Sequence, residues 1–455
     1  MEKISLADTV KSRGLKYYIN TYGCQMNAHD SEKLAGILGE LGFAEGSSSE
    51  ESDFVIFNTC CVRENAELKI FGNVGALRQK KKKNRNMIVA VCGCMMQQQP
   101  VAEKLFSMFP FVDIVFGTNN MYKLPEMVYR KVMQGERTLL VEEENGDIVE
   151  DIPMHRNVRP LASVSIMRGC DNFCSYCIVP YVRGREKSRE PERILEEIRA
   201  LSADGYREVL LLGQNVNSYG KGTDVTFPKL LERIVKETAI DRIRFMTPHP
   251  KDVSDDLIRV VAENERVCSH IHLPLQSGSN KVLELMNRHY TREDYLALVK
   301  KIRREIPDAA LSTDIIVGFP QETEEDFQDT LELVQQVGFD SAYTFVYSVR
   351  AGTKAEKLPG HLSDEVKKDR IMRLVALQNE ITYAGNKRDV GKVERVLIES
   401  VSKRDAGCVC GRTDGGKMVN MKGGEELIGT FADVEITEGK KTTVFGRIVN
   451  GNQTA

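Results

Sequence analysis

Short apolar runs alternate with helix-patterned stretches along most of this 455-residue chain, and that alternation restricts it to parallel sheets flanked by helices. From about residue 15 to 130, KYYINTYG, DFVIFNTC and MIVAVCGC read as buried strands, while SEKLAGILGELGF and the segment from Asn65 to Lys80 read as helices. From about 156 to 388 the strand candidates are SVSIMRG, EVLLLG, RIRFMT, HIHLPL, ALSTDIIVGF and SAYTFVYS. Amphipathic helices are expected between them, such as Glu190 to Ser202, Lys281 to Met286, Arg292 to Glu305 and Glu324 to Val337. Six such units predict a partial or full (β/α) barrel, a fold that places its site on the loops after the strands.

The pattern changes after residue 388. VERVLIESVSK, GCVCGRTDGGKMVNM and IGTFADVEITEG alternate apolar and polar residues around Gly-rich turns, which predicts a small antiparallel β-barrel. The expected class is therefore α/β: a doubly wound parallel-sheet domain at 15–132, a partial (β/α)6 barrel at 156–388 and the small barrel at 389–453. Gly46 to Ser52 reads as a surface loop, and the acidic stretch Glu142 to Asp151 as the junction into the second domain. Hydrophobic residues make up 41% of the chain, enough for proper cores, and the net charge of −3 gives no electrostatic hint of nucleic acid. The small barrel carries ten basic and ten acidic residues, so bulk charge does not mark it either. The one dense basic run, Arg78 to Arg85, reads as a solvated face, with phosphate contact as the minority reading. No apolar stretch is long enough to span a membrane, and the start, MEKISLADTVKSRG, lacks the apolar segment of a signal peptide. A cytoplasmic chain is expected. Eleven cysteines there argue for metal ligands or free thiols and against disulfides.

Two sets of three cysteines carry the chemistry. Cys170, Cys174 and Cys177 have the spacing C-x3-C-x2-C after the first barrel strand. Structural zinc and iron–sulfur sites are usually closed by four protein ligands. Three thiolates leave one corner open, no fourth Cys or His lies close by, and no second C-x2-C exists in the chain. Cys24, Cys60 and Cys94 each follow one of the first three strands, about one strand–helix unit apart. Ligands gather beyond the carboxyl ends of parallel strands, so these three are expected to converge at one edge of the sheet. Cys408 and Cys410 are expected to pack across the two faces of a strand, and Cys268 to belong to the barrel interior.

The motifs TYGCQMNAHDSE, NTCCVRENAE, VCGC, RGCDNFCSYCIVPYVRGRE, LLGQNVNSYG, HLPLQSGSNKVLELMNRHYT, STDIIVGFPQET and FVYSVRAGT carry a resemblance from about residue 15 to the end. In their order they resemble the methylthiotransferases of the radical-SAM superfamily, and the last domain is similar to a TRAM domain, a small RNA-contacting barrel. Around Cys24 the family's branches differ: GCPKN for enzymes acting on a ribosomal protein, GCKVN for those acting on threonylcarbamoyl-adenosine. This chain reads GCQMN. It resembles the branch that converts N6-isopentenyladenosine at position 37 of tRNA into its 2-methylthio derivative; the alternatives are threonylcarbamoyl-adenosine tRNA or an aspartate of a ribosomal protein.

The resemblance implies the rest. One [4Fe–4S] cluster on Cys170, Cys174 and Cys177 would cleave S-adenosylmethionine to a 5′-deoxyadenosyl radical, and a second on Cys24, Cys60 and Cys94 would carry the added sulfur. It selects Cys60 over Cys61 and Cys94 over Cys92. No protein acid or base is expected, since clusters carry the chemistry and the protein supplies placement. Gly213 and Gln214 would line the methionine end of the cofactor, Gln276 and Arg288 would reach it, with Arg288 suited to the carboxylate, and Asp314 would accept from the ribose. Arg350 would contact RNA or substrate. Expected partners are the tRNA anticodon stem-loop, an electron donor such as flavodoxin or ferredoxin, and a sulfur or cluster donor. Deleting residues 389–455 is expected to weaken tRNA binding and spare cofactor cleavage.

Overall fold

The computed structural model describes residues 2–61, 66–142, 148–156 and 159–450. Asn65, the middle of the acidic junction and the last five residues lie outside the described residues. Contacts divide the chain into two units. One holds residues 1–157, 168–171 and 178–187; the other holds the remainder.

The first unit is a six-stranded, wholly parallel sheet. Its strands are β1 (Lys16–Thr21), β2 (Ala44–Glu45), β3 (Phe54–Thr59), β4 (Ile88–Gly93), β5 (Ile114–Phe116) and β6 (Thr138–Leu140), in the order β2-β1-β3-β4-β5-β6. Every residue of β3 and β4 is buried, as expected of strands covered on both faces. Alternate residues serve opposite layers. Phe54, Ile56, Ile88 and Ala90 pack with α1 (Glu2–Ser12), α2 (Gln25–Glu40) and α6 (Leu124–Tyr129). Val55, Phe57, Val89 and Val91 pack with α3 (Ala66–Ala76) and α5 (Gln99–Met108). Helices on both faces make the sheet doubly wound. Strand order reverses between β1 and β3, where such sheets open a crevice. The basic run forms α4 (Arg78–Lys83). It is not wholly solvated, because Lys81 is largely buried and pairs with Asp113 at 2.7 Å. The short helix α7 (Val179–Arg183) also packs here, through Val182.

The second unit contains six parallel strands in two groups of three. They are β7 (Leu161–Ser165), β10 (Glu208–Leu212) and β11 (Arg242–Phe245), then β12 (His270–His272), β13 (Ala310–Val317) and β14 (Ser341–Val346). Two-residue strands, β8 (Met167–Arg168) and β9 (Lys187–Ser188), flank the cysteine segment. An Ile243–Val267 bridge joins the two groups, and among the described residues β7 and β14 do not pair, so the curl stays a partial barrel. The helices α8 (Pro191–Ala203), α9 (Phe227–Glu237), α10 (Asp255–Glu263), α11 (Asn280–Leu285), α12 (Arg292–Glu305) and α13 (Glu324–Val337) connect the strands, with α11 and α12 together between β12 and β13. Val209, Leu211, Ile243, Phe245, Leu311 and Ile315 bury one strand face against this helical layer. The alternate positions form a polar inner face with Glu208, Arg242, Arg244, His272, Ser312 and Asp314.

The 25-residue helix α14 (Asp364–Arg388) leads to a closed barrel of β15 (Val393–Val401), β16 (Cys408–Thr413), β17 (Met418–Lys422), β18 (Phe431–Gly439) and β19 (Val444–Asn450). Its pairings are antiparallel except β17 with β19, which is parallel and closes the ring. Cys408 and Cys410 do not straddle the strand. They are two residues apart and share its half-buried outer face, whereas Val409 points into the barrel core.

The β16–β17 turn, Thr413 to Lys417, plugs the amino end of the strand curl. Arg242 donates to Arg412 O and Asp414 Oδ1, both at 3.0 Å; Arg244 donates to Asp414 O and Thr413 O, both at 3.1 Å. Both arginines also hold Glu208, the first residue of β10. A Cβ on Gly416, whose φ is +84°, would stand 3.3 Å from His270 Nδ1, so the turn approaches as closely as glycine allows. Cys268, also expected inside, is buried, and burial pushes its thiol up to about 12.

Candidate functional site

In the first unit, Cys24, Cys60 and Cys94 follow β1, β3 and β4, three strands adjacent in the sheet. Cys24 is the N-cap of α2 in extended conformation. Glycines bring the backbone in close. A Cβ on Gly23 would stand 2.6 Å from Cys60 Cβ, and one on Gly93 (φ +97°) would stand 2.4 Å from Thr59 O. The hub is buried Asn27. Its amide donates to Tyr22 O and Thr59 O, both at 2.9 Å, tying the ends of β1 and β3. That fixes its Oδ1 4.0 Å from Cys24 Sγ and 3.6 Å from Cys94 Sγ. The two sulfurs are therefore no further apart than those two distances combined.

Arg183 completes this cluster. Its Nε donates to Cys94 Sγ at 3.1 Å, and its Nη2 to Asn27 Oδ1 at 3.0 Å and Asp30 Oδ2 at 2.6 Å. Asp30 and Cys94 hold the guanidinium firmly protonated against the opposing effect of burial. The Cys94 thiol is lowered to about 7, first by a hydrogen bond from Cys61, then by Arg183, against burial. Cys61 rises correspondingly, and Cys92 rises through burial. So the structure brings Cys61 against Cys94, although the family resemblance had selected only its neighbour Cys60. Sequence reasoning missed Asn27, Asp30 and Arg183. The signal available was that all three lie in the quoted cysteine motifs, with Asn27 and Asp30 one helical turn apart.

Around the Cys170, Cys174 and Cys177 triad, Cys170 N donates to Gly184 O at 3.2 Å in the first unit. A Cβ on Gly169 would meet Arg185 O at 2.0 Å, so glycine is required before Cys170. In the second unit, Cys177 N donates to Cys174 O at 2.9 Å. Arg288 is buried there and donates Nη1 to Cys174 Sγ at 3.4 Å, Nη2 to Pro274 O at 3.0 Å and Nε to Tyr290 Oη at 3.0 Å. Three of its five N–H groups are thus committed to the protein.

Of the remaining expected residues, Gly213 and Gln214 follow β10 and Gln276 follows β12, whereas Asp314 lies inside β13 and not at its end. Gly213 follows β10; its carbonyl accepts from Thr247 Oγ1 at 2.8 Å, and a Cβ would meet Met167 Cγ at 2.5 Å. Gln214 Oε1 is buried, and among the described residues no group donates to it. Gln276 has φ +70° and pairs its backbone with β13, its N donating to Asp314 O at 2.8 Å. Asp314 Oδ1 is 3.5 Å from His272 Nε2. Arg350, beyond β14, donates to Ser348 Oγ at 3.1 Å. His249, which the sequence did not mark, is buried beside Tyr290 and lowered to about 2, first by burial and then by Arg288.

Among the described residues no three His, Cys, Asp or Glu side chains converge closely enough for a single metal ion. Donors around an iron–sulfur cube bind separate irons and stand further apart than donors around one ion. Thiols at adjacent strand ends, with an arginine N–H on one sulfur of each set, suit such a cube. The unpaired Gln214 Oε1 suits an ammonium donor.

The sequence matches the Radical SAM superfamily over residues 164–334, the uncharacterized protein family UPF0004 over 16–117 and the TRAM domain over 387–449. It is 50% identical over 451 residues to the tRNA-2-methylthio-N(6)-dimethylallyladenosine synthase of Clostridium botulinum strain Alaska E43, covering 99% of this chain and 98% of that protein. The protein of the same name from Caldicellulosiruptor saccharolyticus is 52% identical over 435 residues, covering 95% and 92%. Among solved structures, the radical S-adenosylmethionine methyltransferase TsrM of Kitasatospora setae aligns at TM-score 0.54 and 16% identity over 73% of this chain and 72% of that one. The cobalamin-dependent radical enzyme OxsB aligns at 0.52 and 13%, over 81% and 56%. Those two likenesses concern the fold alone. The chain belongs to the family of the tRNA-2-methylthio-N(6)-dimethylallyladenosine synthases, within the radical SAM superfamily.

Proposed function

We propose that this enzyme transfers a methylthio group to C2 of N6-isopentenyladenosine at position 37 of tRNA. The carrying observation is the pair of three-cysteine sets, one at the ends of β1, β3 and β4 and one following β7. Two [4Fe–4S] clusters and S-adenosylmethionine, when bound, supply one-electron cleavage to a 5′-deoxyadenosyl radical and the sulfur and methyl to be transferred.

The chain's own residues position these groups. Cys24, Cys60 and Cys94 would hold one cluster and Cys170, Cys174 and Cys177 the other. Gln214 Oε1 would accept from the methionyl ammonium beside the Gly213 backbone. Arg288 would offer its remaining N–H groups to the carboxylate, with Gln276 close by, and Asp314 would accept from the ribose. Arg350 would meet substrate. The division at 15–132, 156–388 and 389–453 assigns sulfur carriage, radical generation and RNA contact to successive segments. Among the described residues no helix is long and apolar enough to cross a membrane, and we place the enzyme in the cytoplasm with tRNA. A flavodoxin or ferredoxin would deliver the electron, and a sulfur or cluster donor would reload the second site.

Nucleoside mass spectrometry of tRNA from cells lacking and then regaining the gene tests the reading. The 2-methylthio derivative of isopentenyladenosine should vanish and return. An unchanged nucleoside profile, or a change confined to threonylcarbamoyl-adenosine or to a ribosomal protein, overturns it.

A further inference from the structure

Arg183 is the residue of the first unit whose placement the family chemistry leaves unexplained. It follows Cys177 by six residues in the same peptide. Helix α7 is anchored by buried Val182, whose carbonyl accepts from Thr118 Oγ1 at 2.9 Å. The Arg183 side chain is only 11% exposed and Asp30 only 8%. A buried ion pair of this kind is not needed for stability, because apolar replacements often serve as well. Its geometry is more specific than pairing requires. Asp30 and Asn27 grip one end of the guanidinium, and the Nε–H left over points at the Cys94 sulfur. Asp30 offsets part of the guanidinium charge, and the sulfur feels what remains of that charge together with the directional N–H···S contact.

We propose that Arg183 is a positioning residue of the second cluster site, where its Nε–H withdraws charge from the Cys94 sulfur and raises the reduction potential of the cluster bound there. The proposal rests on the assignment of Cys24, Cys60 and Cys94 as that cluster's ligands. Reduction adds negative charge to the cluster and its sulfurs, and hydrogen bonds to ligand sulfurs stabilise the reduced form. Arg288 stands in the same relation to Cys174 at 3.4 Å. Each cysteine set thus has one buried arginine donating to one of its sulfurs.

The test uses the full chain with Cys170, Cys174 and Cys177 changed to Ala, so that only the second set can bind iron. Iron content and an EPR-monitored redox titration are the readouts. Two variants are compared with this parent. Arg183→Lys keeps a cation for Asp30 but loses the planar fork. Arg183→Gln with Asp30→Asn removes both charges and leaves no buried carboxylate unpaired. Iron should stay at one cluster per chain while the midpoint moves to more negative potential in both, further in the Gln/Asn pair. Should the Gln/Asn chain fail to fold by circular dichroism, Arg183→Lys alone decides. A midpoint equal to the parent's in the folded variants overturns the role of Arg183. A parent that binds no iron instead overturns the ligand assignment, before any variant is compared.

Discussion

Asp414 accepts a hydrogen bond from Arg242 across 172 residues of sequence, and through that contact a turn of the small barrel closes the amino end of the radical-SAM strands. Arg242 is fully buried and is shared between Asp414 and Glu208.

Removing residues 389–455 should therefore destabilise the strand curl, because it uncovers Arg242, Arg244 and Glu208 together. The sequence alone suggests a detachable domain; the plug argues otherwise. Asp414→Ala keeps the small barrel and should cost about 1.5 kcal/mol, the low end for a hydrogen bond to a charged group because Asp414 is partly exposed. Thermal unfolding checks both, and a truncated chain with the full-length melting temperature would refute the structural role.

His270 should make stability depend on pH. Burial, then the Arg244 charge, lowers it to about 3, with smaller contributions from the neighbouring His272 and Arg412. In the unfolded chain the imidazole takes up a proton below about 6.5. The unfolded state thus binds more protons between about 6.5 and 3, and stability present above that window falls as pH drops, by up to about 1.4 kcal/mol per pH unit. Urea unfolding between pH 7 and 5 should show a shallower slope for His270→Gln than for the parent chain.

Cys60 and Cys61 can be separated directly. Cys60→Ala should lose about half of the reconstituted iron, the share of one of two clusters, whereas Cys61→Ala should keep it. The reverse pattern would move the ligand one residue along, to the thiol that touches Cys94.

Gly93→Ala tests whether the strand end must lie so close to its neighbour. The added methyl would stand 2.4 Å from Thr59 O at a left-handed φ, a strain on the order of 1–3 kcal/mol. Iron at the second set should fall together with the melting temperature. Full iron and an unchanged melt would show that Cys94 tolerates a displaced backbone.

Substrate selection should favour the isopentenylated anticodon stem-loop. Five apolar carbons buried at about 0.8 kcal/mol per CH₂, incompletely enclosed, contribute on the order of 2–3 kcal/mol, or tens-fold in turnover. Competition between modified and unmodified stem-loops measures this, and equal turnover of the two would rule out a prenyl pocket.

Much of this architecture is legible in sequence because the elements are long and periodic. Helices α12 and α13 begin and end where the periodicity places them, each opened by a capping box at Thr291 or Thr323. The two-residue β2 and the three-residue β5 and β6 leave too few positions for any period to register. The cysteines were legible because spacing along the chain maps onto adjacent strand ends. Their partners were not: Arg183 meets Asp30 across 153 residues, and neither position is unusual in its own helix. The shared outer face of Cys408 and Cys410 follows from the two-residue period of a strand.

The plug at the amino end also sets the traffic of the reaction. Within this unit, among the described residues, a curl stopped there by Thr413 to Lys417 keeps its carboxyl end and the seam between β14 and β7 unclosed. With the cofactor and the RNA base held as proposed at the carboxyl end, both would pass through the same opening. Spent methionine and 5′-deoxyadenosine would queue behind a bound anticodon loop, so that the order of departure, as much as the chemistry, would pace the cycle.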